Sequence, residues 1–269
     1  FFATLNNNLK KNIYTDLRAD YIFTFNKIVG NEYKKYIKCK TISIGSFRNN
    51  FFKKKKSNHL DKSITYISSY IPVTGKTVFS KLNKKTILFE DFYLADEYIF
   101  KNLNQYCLKN NLKLNVLLKT NNFRERLFYN KIKDMNISFL NRVSQYSSYD
   151  FLNKNKYFVG TENTLTYESL ARKNRVAMFS IRRKILSKNK KKIDTGLDFY
   201  WPGKMPDTGK YWSHSPEKKI FFKILDFMVL CSDLEWEKEQ KKLNKNYKIE
   251  FNLDNIKFRS IIAKYLKLN

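Results

Sequence analysis

The sequence predicts an α/β protein built on a parallel sheet flanked by helices, and three observations carry that reading. Tyr157 to Ile181 reads as strand, turn, helix and strand: the apolar run Tyr157-Phe158-Val159 stops at Gly160, and a polar turn follows. Leu165, Leu170 and Ala171 then mark a helical stretch, and Val176 to Ile181 is a second apolar run. Short apolar runs joined by a helix rather than a hairpin imply parallel strands with a right-handed crossover. Phe92 to Lys109 places Ala95, Ile99, Leu103 and Tyr106 on one helical stripe, with the strand-like Leu112 to Leu118 directly behind it. Apolar residues make up 42% of the 269, against only 7 Gly and 4 Pro, so a sizeable core is available and a disordered chain is not expected.

Taken in order, residues 1–19 are polar and ambiguous. Tyr21 to Phe25 reads as a buried strand, Lys27 to Ile37 as a helix, and Thr41 to Ile44 as a strand ending at Gly45. Phe51 to Lys62 has the composition of a linker. Its run Lys53 to Lys56 is either a solvated loop or a contact to anionic lipid or nucleic acid. Ile64 to Ser68 opens a new sheet. Val73-Thr74-Gly75-Lys76-Thr77 invites a P-loop reading, which fails because that loop needs Gly at position 70 and Tyr70 stands there. Pro72 to Thr86 is therefore an excursion at the sheet's carboxyl edge, Glu90 and Asp91 suit the start of the helix behind it, and Ile137 to Leu140 is a short strand. Tyr146 to Leu152 is a helix with aromatic anchors, and Pro216 to Val229 an amphipathic helix with Pro in its first turn. Ser232 and Glu235 form a capping box, and a basic helix over Ile256 to Leu266 packs on the sheet or on the amino-terminal part.

The formal net charge of +29 fits nucleic acid, an anionic membrane face or an anionic substrate. The lysines are scattered among Asn, Ile, Phe and Tyr, as in a chain from an AT-rich genome, so charge alone decides little. Cys39, Cys107 and Cys231 are odd in number and far apart, with no CxxC pair or His cluster, which supports neither a disulfide framework nor a zinc site. Reduced thiols, no apolar stretch near the roughly 20 residues that span a bilayer and no signal peptide together read as cytoplasmic. Phe1 in place of Met reads as the start of a fragment.

The candidate chemistry gathers where strands end. In the turn Gly160, Thr161, Glu162, Asn163 and Thr164, free N–H groups and the positive end of a helix dipole suit a phosphate. Asn163 and Thr164 either cap the helix or face the same anion, and Glu168, one turn in, either reaches a sugar hydroxyl or is a solvated helix residue. Lys119 and Arg124 face a diphosphate or are surface charge. Arg182, at a strand's carboxyl end, is a phosphate contact. Asp198 to Pro216 holds three of the four prolines and two of the three tryptophans, an ordered flap whose His214 is a candidate acid or base, or a packed residue.

The run Gly160 to Arg182 resembles the donor-binding segment of bacterial GT-B glycosyltransferases that build surface carbohydrate, including the CDP-glycerol glycerophosphotransferase and β-Kdo transferase-like groups. Thr164, Thr166, Glu168 and Leu170 to Val176 occupy its pattern of a Ser/Thr-rich turn, a helix-borne acid and A-L-A-x-x-K-x-V. Gly45-Ser46-Phe47-Arg48-Asn49 resembles the element entering that family's interdomain linker, with Ser46 and Arg48 in place. Glu125 with Phe128-Tyr129, and Phe199 to His214, resemble two further stretches. The resemblance implies the carboxyl-terminal half of a GT-B fold: a remnant of the acceptor domain over 1–50, a linker over 51–62, and a Rossmann-like donor domain with carboxyl-terminal helices over 63–269.

The implied activity is transfer of a sugar or polyol phosphate from a nucleotide-activated donor to a glycan or lipid-linked acceptor of lipopolysaccharide or capsule. Gly160 to Thr164, Thr166 and Arg182 would meet the leaving phosphate, and Glu168 the donor sugar. It implies no cofactor and no metal, in line with the absence of a DxD motif, and peripheral contact with an anionic inner membrane. The rivals are a basic nucleic-acid-binding module and a GT-B nucleotide-sugar epimerase. Against the latter, Thr161-Glu162-Asn163 replaces the epimerases' glycine-rich turn.

Overall fold

The computed structural model describes residues 17–54, 62–71, 77–80, 85–133, 136–144, 146–161, 163–182, 184–185, 206–242 and 249–265. The chain forms two compact units: residues 1–55, 201–204 and 240–269 make one, and residues 56–200 and 205–239 the other.

In the first unit, β1 (Arg18–Thr24) and β2 (Lys38–Ser43) are parallel, joined by α1 (Lys27–Lys34). Asn26 starts that helix by accepting the Val29 N–H at 2.9 Å. Gly45, at φ +80°, turns the chain into the short α2 (Phe47–Phe51), capped by Ser46, with Arg48 exposed on it. No other residue fits that turn: an added Cβ would lie 1.9 Å from the Glu250 carbonyl oxygen. The carboxyl-terminal segment is held there by Asn50, which donates to the Ile44 carbonyl at 2.7 Å and to Asn255 at 3.0 Å and accepts from the Asn252 N–H at 2.8 Å. The last helix of this unit (Ile256–Tyr265) sets Phe258 edge-on to Phe23 and Phe47, and Tyr265 edge-on to Tyr21.

The second unit is a six-stranded parallel sheet. Its strands are β3 (Ser63–Ile67), β6 (Lys113–Leu117), β7 (Ile137–Leu140), β8 (Tyr157–Gly160), β9 (Arg175–Phe179) and β10 (Trp212–Ser213), paired in the order β10-β9-β8-β3-β6-β7. The antiparallel hairpin of β4 (Thr77–Ser80) and β5 (Lys85–Leu88) lies between β3 and the first helix, where the sequence implied an excursion. The helices are α3 (Leu94–Lys109), α4 (Phe123–Ile132), α5 (Ser147–Lys154), α6 (Thr164–Ala171), α7 (Lys218–Leu230) and α8 (Asp233–Lys242), the last three residues of α8 being counted with the first unit. The expected Phe92–Lys109 helix begins at Leu94, because Phe89–Tyr93 is a 3-10 turn. The capping box holds: Ser232 accepts the Glu235 N–H at 3.1 Å, and Glu235 accepts the Ser232 N–H at 2.7 Å.

Strands buried on both faces read as continuous apolar runs, which is why β3, β8 and β9 were visible in the sequence. The core joins Ile64 and Tyr66 of β3 and Val159 of β8 to Ile99 and Leu103 of α3 and to Phe221, Leu225 and Met228 of α7. Each such burial contributes about 1.5–3 kcal/mol. Among the described residues, no helix is long and apolar enough to cross a membrane.

Candidate functional site

Counting β3, β6, β7, β8, β9 and β10 as one to six, the sheet runs three-two-one-four-five-six. The chain departs from β3 in both directions, so β3 and β8 flank the point where the strand order reverses. That topological switch point is where open α/β sheets bind ligands. Tyr157 of β8 pairs with Ile64 on one side and Arg175 on the other, all parallel, as the strand-helix-strand reading of Tyr157 to Ile181 required.

Side chains join the loops that leave β3 and β8. Ser69 Oγ, just past β3, lies 2.5 Å from Thr161 Oγ1, just past β8. Asn163 donates to the Ile67 carbonyl at 3.4 Å and to Ser69 at 3.3 Å, while its Oδ1 accepts the Thr166 N–H at 2.9 Å. Asn163 is therefore the cap of α6. Thr166 is fully buried and turns its hydroxyl onto Asn163 at 2.8 Å. Gly160 is required by this packing, since a Cβ would lie 2.1 Å from Thr166 Oγ1. With the Thr166 amide occupied, those of Thr164 and Leu165 remain, and Thr164 is exposed. Glu162 lies outside the described residues.

Glu168 is buried and accepts the Tyr149 hydroxyl of α5 at 3.1 Å. Arg172, from the end of α6, donates to Asn153 at 2.7 Å, and its pKa is drawn down by burial, against the pull of Tyr149 and Glu168. The helix-borne acid thus sits at the α5–α6 contact, one turn from the exposed Thr164.

On the other side of β3, Glu125 in the first turn of α4 is fully buried. It accepts from Ser68 Oγ at 2.5 Å, Lys119 N at 2.8 Å, and Thr120 N and Oγ1 at 2.8 and 2.7 Å. This acid shapes the β6–α4 turn and sets Lys119 at the edge. The residue is exposed overall, yet its ammonium is crowded enough that burial lowers its pKa, with Arg142 and Arg182 pushing the same way against Asp96 and Glu125. Arg124 is exposed in the first turn of α4. Arg182, beyond β9, is ion-paired at 3.2 Å with Asp96, a fully buried acid of α3 that also accepts from Tyr66 at 3.0 Å. Burial raises the Asp96 pKa, and Arg182 and the hydrogen bonds oppose that rise. His214 follows β10, with Nδ1 3.2 Å from the Ser180 carbonyl.

Gly160, Thr161, Asn163, Thr164, Lys119, Arg124, Arg182 and His214 thus share the carboxyl edge, whereas Thr166 and Glu168 lie beneath it. Ser46 and Arg48 belong to the other unit. Asp96 and Arg142 had no mark in the sequence: one was an acid in a helix's first turn, the other a single Arg among 53 Lys and Arg. Among the described residues, no group of three or more His, Cys, Asp or Glu side chains could hold a metal ion.

Comparison with solved structures fits this architecture. S. aureus MnaA in its UDP co-structure matches 93% of this chain and 62% of its own, with 12% identity and a TM-score of 0.50. The wall teichoic acid polymerase TagF matches 92% and 58%, with 15% identity and a TM-score of 0.44. A Thermobaculum terrenum O-GlcNAc transferase matches 91% and 44%, with 9% identity and a TM-score of 0.41. Of these three, the first alone reaches 0.50. At such identity the MnaA match shows the fold alone, and the chain spans less than two thirds of each protein's length. No curated protein sequence matches the chain. Residues 1–266 match a family model described as "putative O-antigen biosynthesis protein", and the chain belongs to that family.

Proposed function

We propose that the switch point between β3 and β8 holds a nucleotide-activated sugar or polyol-phosphate donor. On this reading the protein acts as a GT-B-type glycosyltransferase of surface polysaccharide biosynthesis, passing the group to a glycan or lipid-linked acceptor. The observation that carries it is the coincidence at one point of the sheet's reversal and the exposed amino end of α6. Membership of an O-antigen biosynthesis family and a fold neighbour solved with UDP support the same ligand class.

In the transfer, an acceptor oxygen forms the new bond while the bond to the donor's leaving phosphate breaks, and the electron pair leaves with the phosphate. On this reading the amides of Thr164 and Leu165, the α6 dipole, Lys119 and Arg182 stabilise that growing charge. The acceptor's proton passes to a base. His214 is the candidate, because donation from Nδ1 to the Ser180 carbonyl leaves Nε2 as its basic nitrogen. Glu168 supports the α6 frame through Tyr149 and carries the sugar only if the donor reaches beneath the edge.

The test is a calorimetric titration with CMP, CDP, UDP and GDP, beside single-stranded RNA of mixed sequence. One nucleotide diphosphate binding in the micromolar range, with RNA weaker and strongly salt-dependent, is the expected result. RNA binding with no nucleotide binding would replace the donor reading by the nucleic-acid one.

A further inference from the structure

The notable cation at the carboxyl edge is Arg142, which follows β7. Leu117 of β6 pairs with Leu140 of β7, and the Leu118 N–H continues the ladder to the Leu140 carbonyl at 3.3 Å. Lys119 and Arg142 each stand two residues past that last pair, so the register sets them level on neighbouring strands. Both backbones are fixed. Glu125 accepts the Lys119 N–H at 2.8 Å. Asn121, at φ +55°, donates to the Arg142 carbonyl at 2.5 Å and accepts the Arg142 N–H at 2.9 Å.

Glu125 attracts both cations and Asp96 also attracts Lys119, but neither acid touches either charged group. Among the described residues, the Lys119 ammonium and the Arg142 guanidinium form no ion pair and no hydrogen bond, and Arg142 Nε is buried without an acceptor. Burial lowers the pKa of both, against the pull of Asp96 and Glu125 on Lys119 and of Glu125 and Tyr149 on Arg142, and Arg142 repels Lys119. Two partly desolvated cations held level by braced backbones repel each other and become favourable around a multiply charged anion, to which Arg presents a planar fork of donors.

We propose that Lys119 and Arg142 form a two-cation seat for a diphosphate. The seat deepens the donor reading and rests on it for the source of that diphosphate, a nucleotide donor. A lipid-linked diphosphate has the same chemistry.

Inorganic pyrophosphate is the first probe, titrated into the whole chain and into Arg142→Gln, Lys119→Gln, Arg142→Lys and Lys113→Gln. Lys113 lies at the opposite end of β6 and serves as the control. Each Gln variant at the seat is expected to weaken pyrophosphate binding at least tenfold, Arg142→Lys less, and Lys113→Gln not at all, with all melting together with the parent. Competition by UDP or CDP, and separately by geranyl diphosphate, then names the source. If pyrophosphate binds through Arg142 and geranyl diphosphate displaces it while no nucleotide does, the seat stands and the donor reading falls. If a nucleotide binds and Arg142→Gln leaves its affinity and that of pyrophosphate unchanged, the donor reading stands and the seat is overturned. Absence of pyrophosphate binding to the parent chain also overturns it.

Discussion

Replacing Thr164 with Pro isolates the backbone contribution of α6. Thr164 is the first helical residue after the Asn163 cap, and a proline there removes an N–H that makes no hydrogen bond within the helix. Proline demands an extended residue before it, and Asn163 already sits at φ −88°, ψ 148°. The fold should therefore hold to within about 0.5 kcal/mol. A phosphate on the α6 terminus would lose one hydrogen bond to a charged acceptor, about 1.5–3 kcal/mol, or roughly tenfold to over a hundredfold in affinity. Thr164→Ala keeps the amide and deletes only the exposed hydroxyl, so the difference between the two variants measures the N–H. The assay is calorimetric titration with the nucleotide diphosphate that binds best, beside thermal melting. Equal affinities for the Pro and Ala variants would refute anion binding at this terminus.

Other perturbations test the frame. Gly160→Ala drives a methyl into Thr166 and should cost about 1–3 kcal/mol in urea unfolding, with Thr166→Ala in the same chain recovering part of it; additive losses would contradict the contact. Glu125→Ala leaves the donors of Ser68, Lys119 and Thr120 without their acceptor and should cost about 3 kcal/mol or more, so a shift under about 1 kcal/mol in chemical denaturation would deny its bracing role. Gly45→Ala sets a Cβ on the Glu250 carbonyl at a left-handed φ and should destabilise the first unit by about 2–5 kcal/mol, read as faster amide exchange over 249–265. Burial pushes the Cys107 thiol from 9.0 up to about 12, so the native state retains a proton that the unfolded chain loses, and stability falls as pH rises from 9 towards 12. Cys107→Ala should make that fall shallower, by up to about 1.4 kcal/mol per pH unit; an unchanged slope in urea titrations would show that the thiol is not held neutral.

What could be read in the sequence was whatever a local pattern forces. β8 and β9 were readable because strands covered on both faces read as apolar runs, while Ile137–Leu140, an edge strand with Ser138 exposed, was readable as a short run of strand-forming residues. β10 was not, because Trp212 and Ser213 become a strand only by pairing with Met178 and Phe179 far along the chain. At the site, the turn after Gly160 was visible as a strand-to-helix junction, but the fate of each side chain was not. Thr164 and Thr166 look equivalent in the sequence, and the helix turns one to solvent and the other into the wall against Gly160. Glu168 resembled a ligand-facing acid by its spacing, and Tyr149, which claims it, arrives from a separate helix.

The overall charge was uninformative for a related reason: what distinguishes a cation here is what meets it. Arg175, at the amino edge of the sheet, donates to the carbonyls of Met228 and Cys231 and to Asp233, which Lys156 also reaches. Arg172 donates to Asn153, and Arg182 has Asp96. With 24 acids against 53 Lys and Arg, most cations must be left to solvent, which tolerates them at no cost on an open surface. Lys119 and Arg142 are partly removed from solvent and attracted by Glu125, with Asp96 also acting on Lys119, yet neither charged group touches an acid among the described residues, at the edge where a parallel sheet receives ligands. Desolvation without a contacting acceptor is unfavourable for a charge, and beside Arg172, Arg175 and Arg182, whose guanidinium groups donate to Asn153, Asp233 and Asp96, it favours an anion at the proposed seat.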